Sequence, residues 1–449
     1  MARNVDLLEG SIVGSLTSLA LPIMATSLIQ MAYNMTDMIW IGRLSADAVA
    51  AVGAAGMYLW LANGLARIPR LGGQVKVAHE LGAQAPERAA GYGQAAFHLG
   101  ALLVILFTAM CILLNGPLIA FFKLNSPQVN SDARVYLVIV ALGFLFSFFN
   151  QIFTGLFTAM GSSVVVLRST AVGLVGNILL DPLMIFGVGP FPRMEVAGAA
   201  LATVLGQVVG MVVGLCMVRR SSIVRLSFRG FRPDSAIIRT MFRVGVPAIL
   251  VQALATVMNL GMNLILPLFT ASGVFILGAY FKLQSFLFMP VNGLNNALIP
   301  IVSFNYGARQ RSRITGVIHF ALVLSAAIMA VGTVVFLAIP GPLLRLFDAD
   351  AAVLAEGISA LRLIALSFVC AGVSVILCAA LQALGAANSS LVVSLLRQLV
   401  LLFPLALLLG ALRPSLVWLA FLLSEGAACL TALLLYRRTA RGRLAGMEE

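Results

Sequence analysis

Apolar residues run in stretches of about 20 or more along most of the chain, the length that carries an α-helix across a hydrocarbon layer. Short polar breaks separate them and predict twelve spans, at 13–41, 48–72, 91–114, 134–160, 164–187, 196–218, 238–268, 274–303, 315–339, 354–384, 389–410 and 415–436. No segment alternates polar and apolar positions as the strands of a membrane barrel would. The expected class is an all-α polytopic membrane protein of twelve transmembrane helices in two pseudo-symmetric six-helix lobes. One longer break, from Arg219 to Arg239, is basic and contains Gly230 and Pro233. It divides the chain into a lobe at 1–218, a cytoplasmic linker at 219–237, a second lobe at 238–436 and a cytoplasmic tail at 437–449.

The two halves repeat at a constant offset of 225. Pro22 matches Pro247, Asn34 matches Asn259, Gly53-Ala54 matches Gly278-Ala279, and Val77 matches Val302. Gly82-Ala83 matches Gly307-Ala308, Arg88 matches Arg313 and Gly91 matches Gly316. Further on, TGLFTAMGSS resembles CAALQALGAA with slightly shifted spacing. Apolar composition alone does not repeat prolines, glycines and loop arginines at fixed spacing. Six spans per half start both halves on the same side, so the repeats are parallel about an axis along the membrane normal.

Composition agrees with burial in lipid: 61% of the 449 residues are hydrophobic, 10% are charged and the mean hydropathy is +1.04. Soluble domains run near half apolar and about a quarter charged. A net charge of +13 raises the question of nucleic acid, but the arginines sit between spans, where positive charge orients a membrane protein. With both termini in the cytoplasm, nineteen cations fall inside and seven outside. The expected location is a bacterial or archaeal cytoplasmic membrane. Asp6 and Glu9 follow Arg3 and the first apolar run is long, so the N-terminus reads as a retained helix rather than a cleaved signal. The five cysteines lack metal-ligand spacing, the three histidines are scattered, and there is no GxxxxGK[ST] phosphate loop.

Of sixteen acids, three lie well inside spans: Asp37, Asp181 and Glu425. An ionisable group in a membrane is costly and points to function. Asp37 is six residues before Arg43, about 9 Å below the outer end at helical rise, and Asp181 is eight residues before Gly189-Pro190, about 12 Å below. Asn177 shares a helix face with Asp181, and Pro182 frees a backbone carbonyl. Gln30, Asn34 and Asp37 are read as one polar stripe. Such oxygens suit a hard monovalent cation, and desolvated carboxylates also bind protons, so H⁺ and Na⁺ both remain open. At the repeat offset Met262 stands where Asp37 would be, so the ionisable site is expected in one lobe only.

Lys282 fits either the positive partner of a substrate acid or a snorkelling side chain. Gln284, Asn292, Asn295 and Asn296 make its span unusually polar, as a cavity wall would be. Met24, Met31, Met35, Met38, Met258 and Met262 suit either a cavity that repacks around varied ligands or ordinary packing. The expected cavity set is Gln30, Met31, Tyr33, Met35, Met262, Lys282, Gln284 and Asn292. Arg67 and Arg70 flank Pro69 and precede Gly72-Gly73, which could interrupt that helix and leave the arginines facing the cytoplasm. Gly206, Gly210 and Gly214 form a small-residue ridge for helix packing. Glu425 has no polar stripe with it and reads as a helix-contact or interfacial residue, with a role in transport as the alternative.

LPIMATSLIQMAYNMTDMIWIGRL with AVAAVG, GNILLDPLMIFG with VAGAALAT, and GAYFKLQSFLFMPVNGLNNALIPIVSFNYGAR resemble the MATE (multidrug and toxic compound extrusion) transporters. The resemblance covers nearly the whole chain and is strongest to the prokaryotic DinF-like branch. It implies a secondary antiporter that exports amphipathic or cationic organic compounds in exchange for protons, with Na⁺ as the alternative ion. It places cation or proton binding at Asp37, Asn177 and Asp181, with Thr203 as a further candidate, and the polar stripe adds Asn34 to the expected set. The branch with acids in the C-terminal lobe is not matched, since the seventh, eighth and tenth spans carry none. The expected partners are small organic substrates and the bilayer, with no cofactor beyond the coupling ion, no nucleic acid, and a monomeric state. Two rival readings are a flippase for a lipid-linked intermediate, which would favour a more cationic cavity, and an intramembrane aspartyl enzyme, which would need Asp37 and Asp181 within hydrogen-bonding range.

Overall fold

The computed structural model describes residues 7, 10–124, 126–219, 235–347 and 350–447. Arg3, Asp6, Glu9, Asp348 and most of the 219–237 linker lie outside them. Among the described residues there is no strand. Eleven helices are long and apolar enough to cross a membrane, and a bent pair makes a twelfth. In chain order they are α1 (Ile12–Gly42), α2 (Ala46–Gly82), α3 (Pro86–Leu113), α4 (Pro127–Ala159), α5 (Ser163–Phe186), α6 (Glu195–Arg219), α7 (Ser235–Ile265), α8 (Gly273–Gly307) and α9 (Arg311–Ala338). The bent pair Ala351–Ala365 and Phe368–Ala383 is α10, Ala387–Leu412 is α11, and Leu419–Arg443 is α12.

Several helices depart from the apolar runs that predict them. α2 continues to Gly82 through Pro69 and Gly72-Gly73, so the expected interruption does not occur. Proline removes one ladder hydrogen bond, and here packing on all sides holds the helix through that loss. α10 instead bends by 43° at Leu366-Ser367, where neither proline nor glycine occurs. There the Ser367 hydroxyl and N–H both donate to the Ile364 carbonyl, at 2.7 and 2.9 Å, a local bond that competes with the helical ladder. α12 runs on to Arg443, whose guanidinium donates to the Leu384 and Gly385 carbonyls. Residues 437–443 are therefore not a free tail.

The chain forms two compact units. In described residues the first holds Leu21–Gly245, and the second holds Leu7, the start of α1 up to Ala20, and everything from Val246 onward. The division therefore falls inside α1 and α7, at 20/21 and 245/246, instead of in the linker. These points are 225 residues apart and lie two residues before Pro22 and Pro247, the repeated prolines. In the first unit, Phe144, Phe148, Ile41, Ile119 and Ile185 are fully buried in one apolar core. In the second, Arg313 holds the N-terminal segment by donating to the Leu7 carbonyl at 2.9 Å and the Ser15 hydroxyl at 3.4 Å, and Asn305 also donates to Leu7.

Glu425 on α12 pairs with Arg397 on α11 at 2.9 Å, with side chains 13% and 20% exposed. Arg397 sits in a π-helical turn, Leu396–Val400, where the Leu401 N–H reaches back to the Leu396 carbonyl. It is thus a helix-pairing residue inside a span and not one of the inner loop cations; nineteen less one leaves eighteen against seven. Removing one member of a buried ion pair strands the other charge. Glu425→Leu is expected to destabilise by about 3 kcal/mol, read as a lower Tm in detergent. The double variant Arg397→Met/Glu425→Met should recover most of that loss.

Candidate functional site

Two devices bring the outer ends of α1, α5 and α6 together. Trp40, three residues after Asp37, meets Phe186, five residues after Asp181, edge to face with ring centroids 5.9 Å apart. Arg43 covers the Trp40 ring at 4.8 Å. Both aromatic rings pack on the apolar core of their unit, so each carboxylate lies roughly one turn below the same clamp. The second device is glycine. Gly198 lies against the Met184 backbone, and a Cβ at Gly206 would stand 2.8 Å from the Gly173 carbonyl and 2.9 Å from the Asn177 Cβ. These contacts seat α6 on α5 above and below Thr203, as small residues do where membrane helices approach closely.

The groups enclosed are Asp37 (8% exposed), Asp181 (0%), Asn177 (2%) and Thr203 (4%). Asn177 Nδ2 donates to Asp181 Oδ1 at 3.4 Å. Asp37 Oδ1, Asp181 Oδ2 and Asn177 Oδ1 are buried without a hydrogen-bond partner. The Asp37 and Asp181 carboxylates lie within electrostatic reach of one another, while no hydrogen bond among the described residues joins them. Pro182, inside α5, has no N–H for the Ile178 carbonyl, which adds an oxygen one turn below. Unpaired buried acceptors cost free energy and call for a partner. A cluster of oxygens with spare lone pairs can take protons or a hard monovalent cation.

Two tyrosines complete the cluster. Tyr33, one turn before Asp37 on α1, has its hydroxyl 3.5 Å from the Thr203 hydroxyl. Tyr136 on α4, 3% exposed, lies close to Thr203 and within electrostatic reach of Tyr33, Asp37 and Asp181. Tyr33 therefore belongs with the acids and not with an open cavity wall, and Tyr136 is absent from the sequence reading. Its signal is visible in retrospect: a tyrosine within an apolar helix needs a partner for its hydroxyl.

The polar stripe of α1 divides. Gln30 and Asn34 are exposed and bond each other at 3.4 Å, whereas Asp37 is buried. Three residues advance about 300° around a helix, so Asn34 stands some 60° from Asp37, and Tyr33 takes the place expected of it. Met35 is exposed and Met31 half-buried, but Met262 is fully buried. Lys282 is exposed and its ammonium lies 5.6 Å from the Phe347 ring. Gln284 is half-buried and Asn292 is exposed. None of these C-terminal side chains joins the acidic cluster, which lies wholly within the first unit.

The sequence profile of the family described as MatE matches residues 22–183 and again residues 247–408. The two matches begin and end 225 residues apart, the offset of the internal repeat. The chain is 26% identical over 339 residues to the probable multidrug resistance protein NorM of Thermotoga maritima, covering 75% of this chain and 72% of that one. It is 23% identical over 431 residues to the multidrug export protein MepA of Staphylococcus saprophyticus, covering 95% and 94%. Among solved structures, one described as MATE in the bent conformation superposes with a TM-score of 0.90 over 99% of this chain and 98% of that chain, at 22% identity; this likeness shows the fold.

The glycine contacts make a prediction about site geometry. Gly206→Val adds side-chain atoms where a single Cβ already meets Gly173 and Asn177, and overpacking of this kind costs about 1–3 kcal/mol. The variant is expected to reach the membrane yet lose ion-driven transport. Gly176→Ala, at a position with open space around the added Cβ, should behave as the parent does in the same transport assay.

Proposed function

Because the chain belongs to the MatE family of multi-pass membrane transporters, we propose that it exports amphipathic or cationic organic compounds across the cytoplasmic membrane in exchange for protons bound at Asp37 and Asp181. The observation that carries the reading is the pair of buried carboxylates with unpartnered oxygens, in reach of each other and of Asn177, Tyr33, Tyr136 and Thr203. Two nearby anions in a low-dielectric setting repel, and protonation relieves that repulsion. With a proton bound, the site turns from acceptor-only to donor and acceptor, and hydroxyls such as Thr203 and Tyr136 can exchange partners. Such a switch gives the first unit two packings, one favouring substrate and one favouring the proton, as alternating access requires. Each positive charge moved inward gains about 2.3 kcal/mol per 100 mV of inside-negative potential. The same oxygens would also accept Na⁺, so the coupling ion is the point to measure.

In proteoliposomes, an imposed proton gradient should drive efflux of a cationic dye such as ethidium, and an imposed Na⁺ gradient of equal size should not. Asp37→Asn and Asp181→Asn should each lower gradient-driven efflux by about tenfold or more, within the usual span of coupling energies. Passive dye exchange without a gradient should persist in both variants. Full gradient-driven efflux by either variant would exclude the assignment.

A further inference from the structure

Arg67 and Arg70 lie three residues apart on α2 and therefore share a face. They are close enough to interact electrostatically. α2 continues for twelve residues beyond Arg70, so the pair stands roughly 18 Å or more from its inner end. No residue from Ala62 to Gly82 is exposed, and Arg67 and Arg70 are themselves half-buried. Among the described residues no carboxylate lies within 4 Å of either guanidinium; the three ion pairs present join other residues. Two like charges thus stand half-buried side by side, with no ion-pair partner among the described residues.

The pair is supported from α4. Arg70 Nη1 donates to Gln151 Oε1 at 2.7 Å. Gln151 Nε2 in turn donates to Asn63 Oδ1 at 3.3 Å, and the Ser147 hydroxyl donates to the same oxygen at 3.3 Å. This ladder orients a neutral acceptor toward Arg70 and uses one of the five N–H donors of a guanidinium. The Arg70 backbone carbonyl also closes on Gly155 of α4. Neither contact neutralises charge. At the repeat offset the second half has Asn292 and Asn295, so the cations, like the acids, belong to the first unit alone.

Two half-buried guanidiniums with spare donors match a planar or tetrahedral oxyanion, which arginine binds in bidentate fashion. We propose that Arg67 and Arg70 form an anion subsite that takes the phosphate or carboxylate of an amphipathic molecule. The inference rests on the transport reading in one respect: it makes the cargo class zwitterionic or anionic amphiphiles as well as cations. The oxyanion can belong to a transported solute or to a lipid headgroup. Binding is equilibrium chemistry and needs no ion gradient, so it can be tested even if the coupling assignment fails.

The test uses the full chain in detergent with two dansyl-labelled alkyl probes, one ending in a phosphate and one in a trimethylammonium. The phosphate probe should bind, and Arg67→Gln and Arg70→Gln should each weaken it about tenfold or more, the usual worth of a charged hydrogen bond. The trimethylammonium probe should bind all three proteins alike. On the unaltered protein, the phosphate probe should protect Arg67 and Arg70 from phenylglyoxal, read by peptide mass spectrometry, which removes dependence on variant folding. Displacement of the probe by dioleoylphosphatidylglycerol at equal concentration assigns the subsite to headgroups, and failure to displace it assigns the subsite to solutes. Equal affinity of the phosphate probe for all three proteins, or no protection from phenylglyoxal, would overturn the proposal.

Discussion

A charge buried in a bilayer-spanning bundle must be neutralised, paired or used, because nothing around it replaces the water it has lost. This chain answers that constraint in three ways. Glu425 and Arg397 neutralise each other across two helices at 2.9 Å. Among the described residues Asp37 and Asp181 form no ion pair, and they keep unpartnered oxygens within a shell of hydroxyls and one amide. Among the same residues Arg67 and Arg70 pair with no acid. The first arrangement holds helices in place. The other two leave charge unanswered inside one unit, and unanswered charge is what a small ion or a polar cargo group can satisfy.

The internal repeat shows how the asymmetry was reached without changing the scaffold. Pro22 and Pro247 lie inside matching helices, and the unit boundaries fall at matching points before them. On this common frame Asp37 corresponds to Met262, Arg67 to Asn292 and Arg70 to Asn295. At the shifted offset of 224, Gly173 corresponds to Arg397. In the first unit Gly173 lets α5 and α6 approach to backbone contact; in the second an arginine in a π-turn spans the equivalent gap to its partner helix. One pair of helices is close-packed around an ionisable cluster, and its counterpart is tied by a salt bridge.

Much of this was legible in the chain. The run length of apolar residues marks spans because hydrocarbon thickness sets a minimum helix length, and all twelve recur in the structure. The places of Asp37 and Asp181 near the ends of their helices followed from counting residues, since α1 and α5 are continuous helices with a fixed rise. Other features had no such signal. The inner extension of α2 to Gly82 is too polar for an apolar window to register. The bend at Leu366-Ser367 depends on one hydroxyl choosing a nearby carbonyl. Arg397 looked like a loop cation because its partner lies 28 residues away in sequence. Tyr136 joins the site through a tertiary contact from a fourth helix, and Asn34 leaves it because it lies on the opposite side of Asp37 from Tyr33, which faces Thr203.

The central claim is that the Asp37–Asp181 cluster holds protons that substrate binding displaces. The direct measurement is proton release from the detergent-solubilised protein in weak buffer, followed with a pH-indicator dye as ethidium is added. The account predicts a release that saturates with ethidium binding and is lost in the Asp37→Asn/Asp181→Asn double variant, although the dye still binds. An undiminished proton release from that double variant would contradict it.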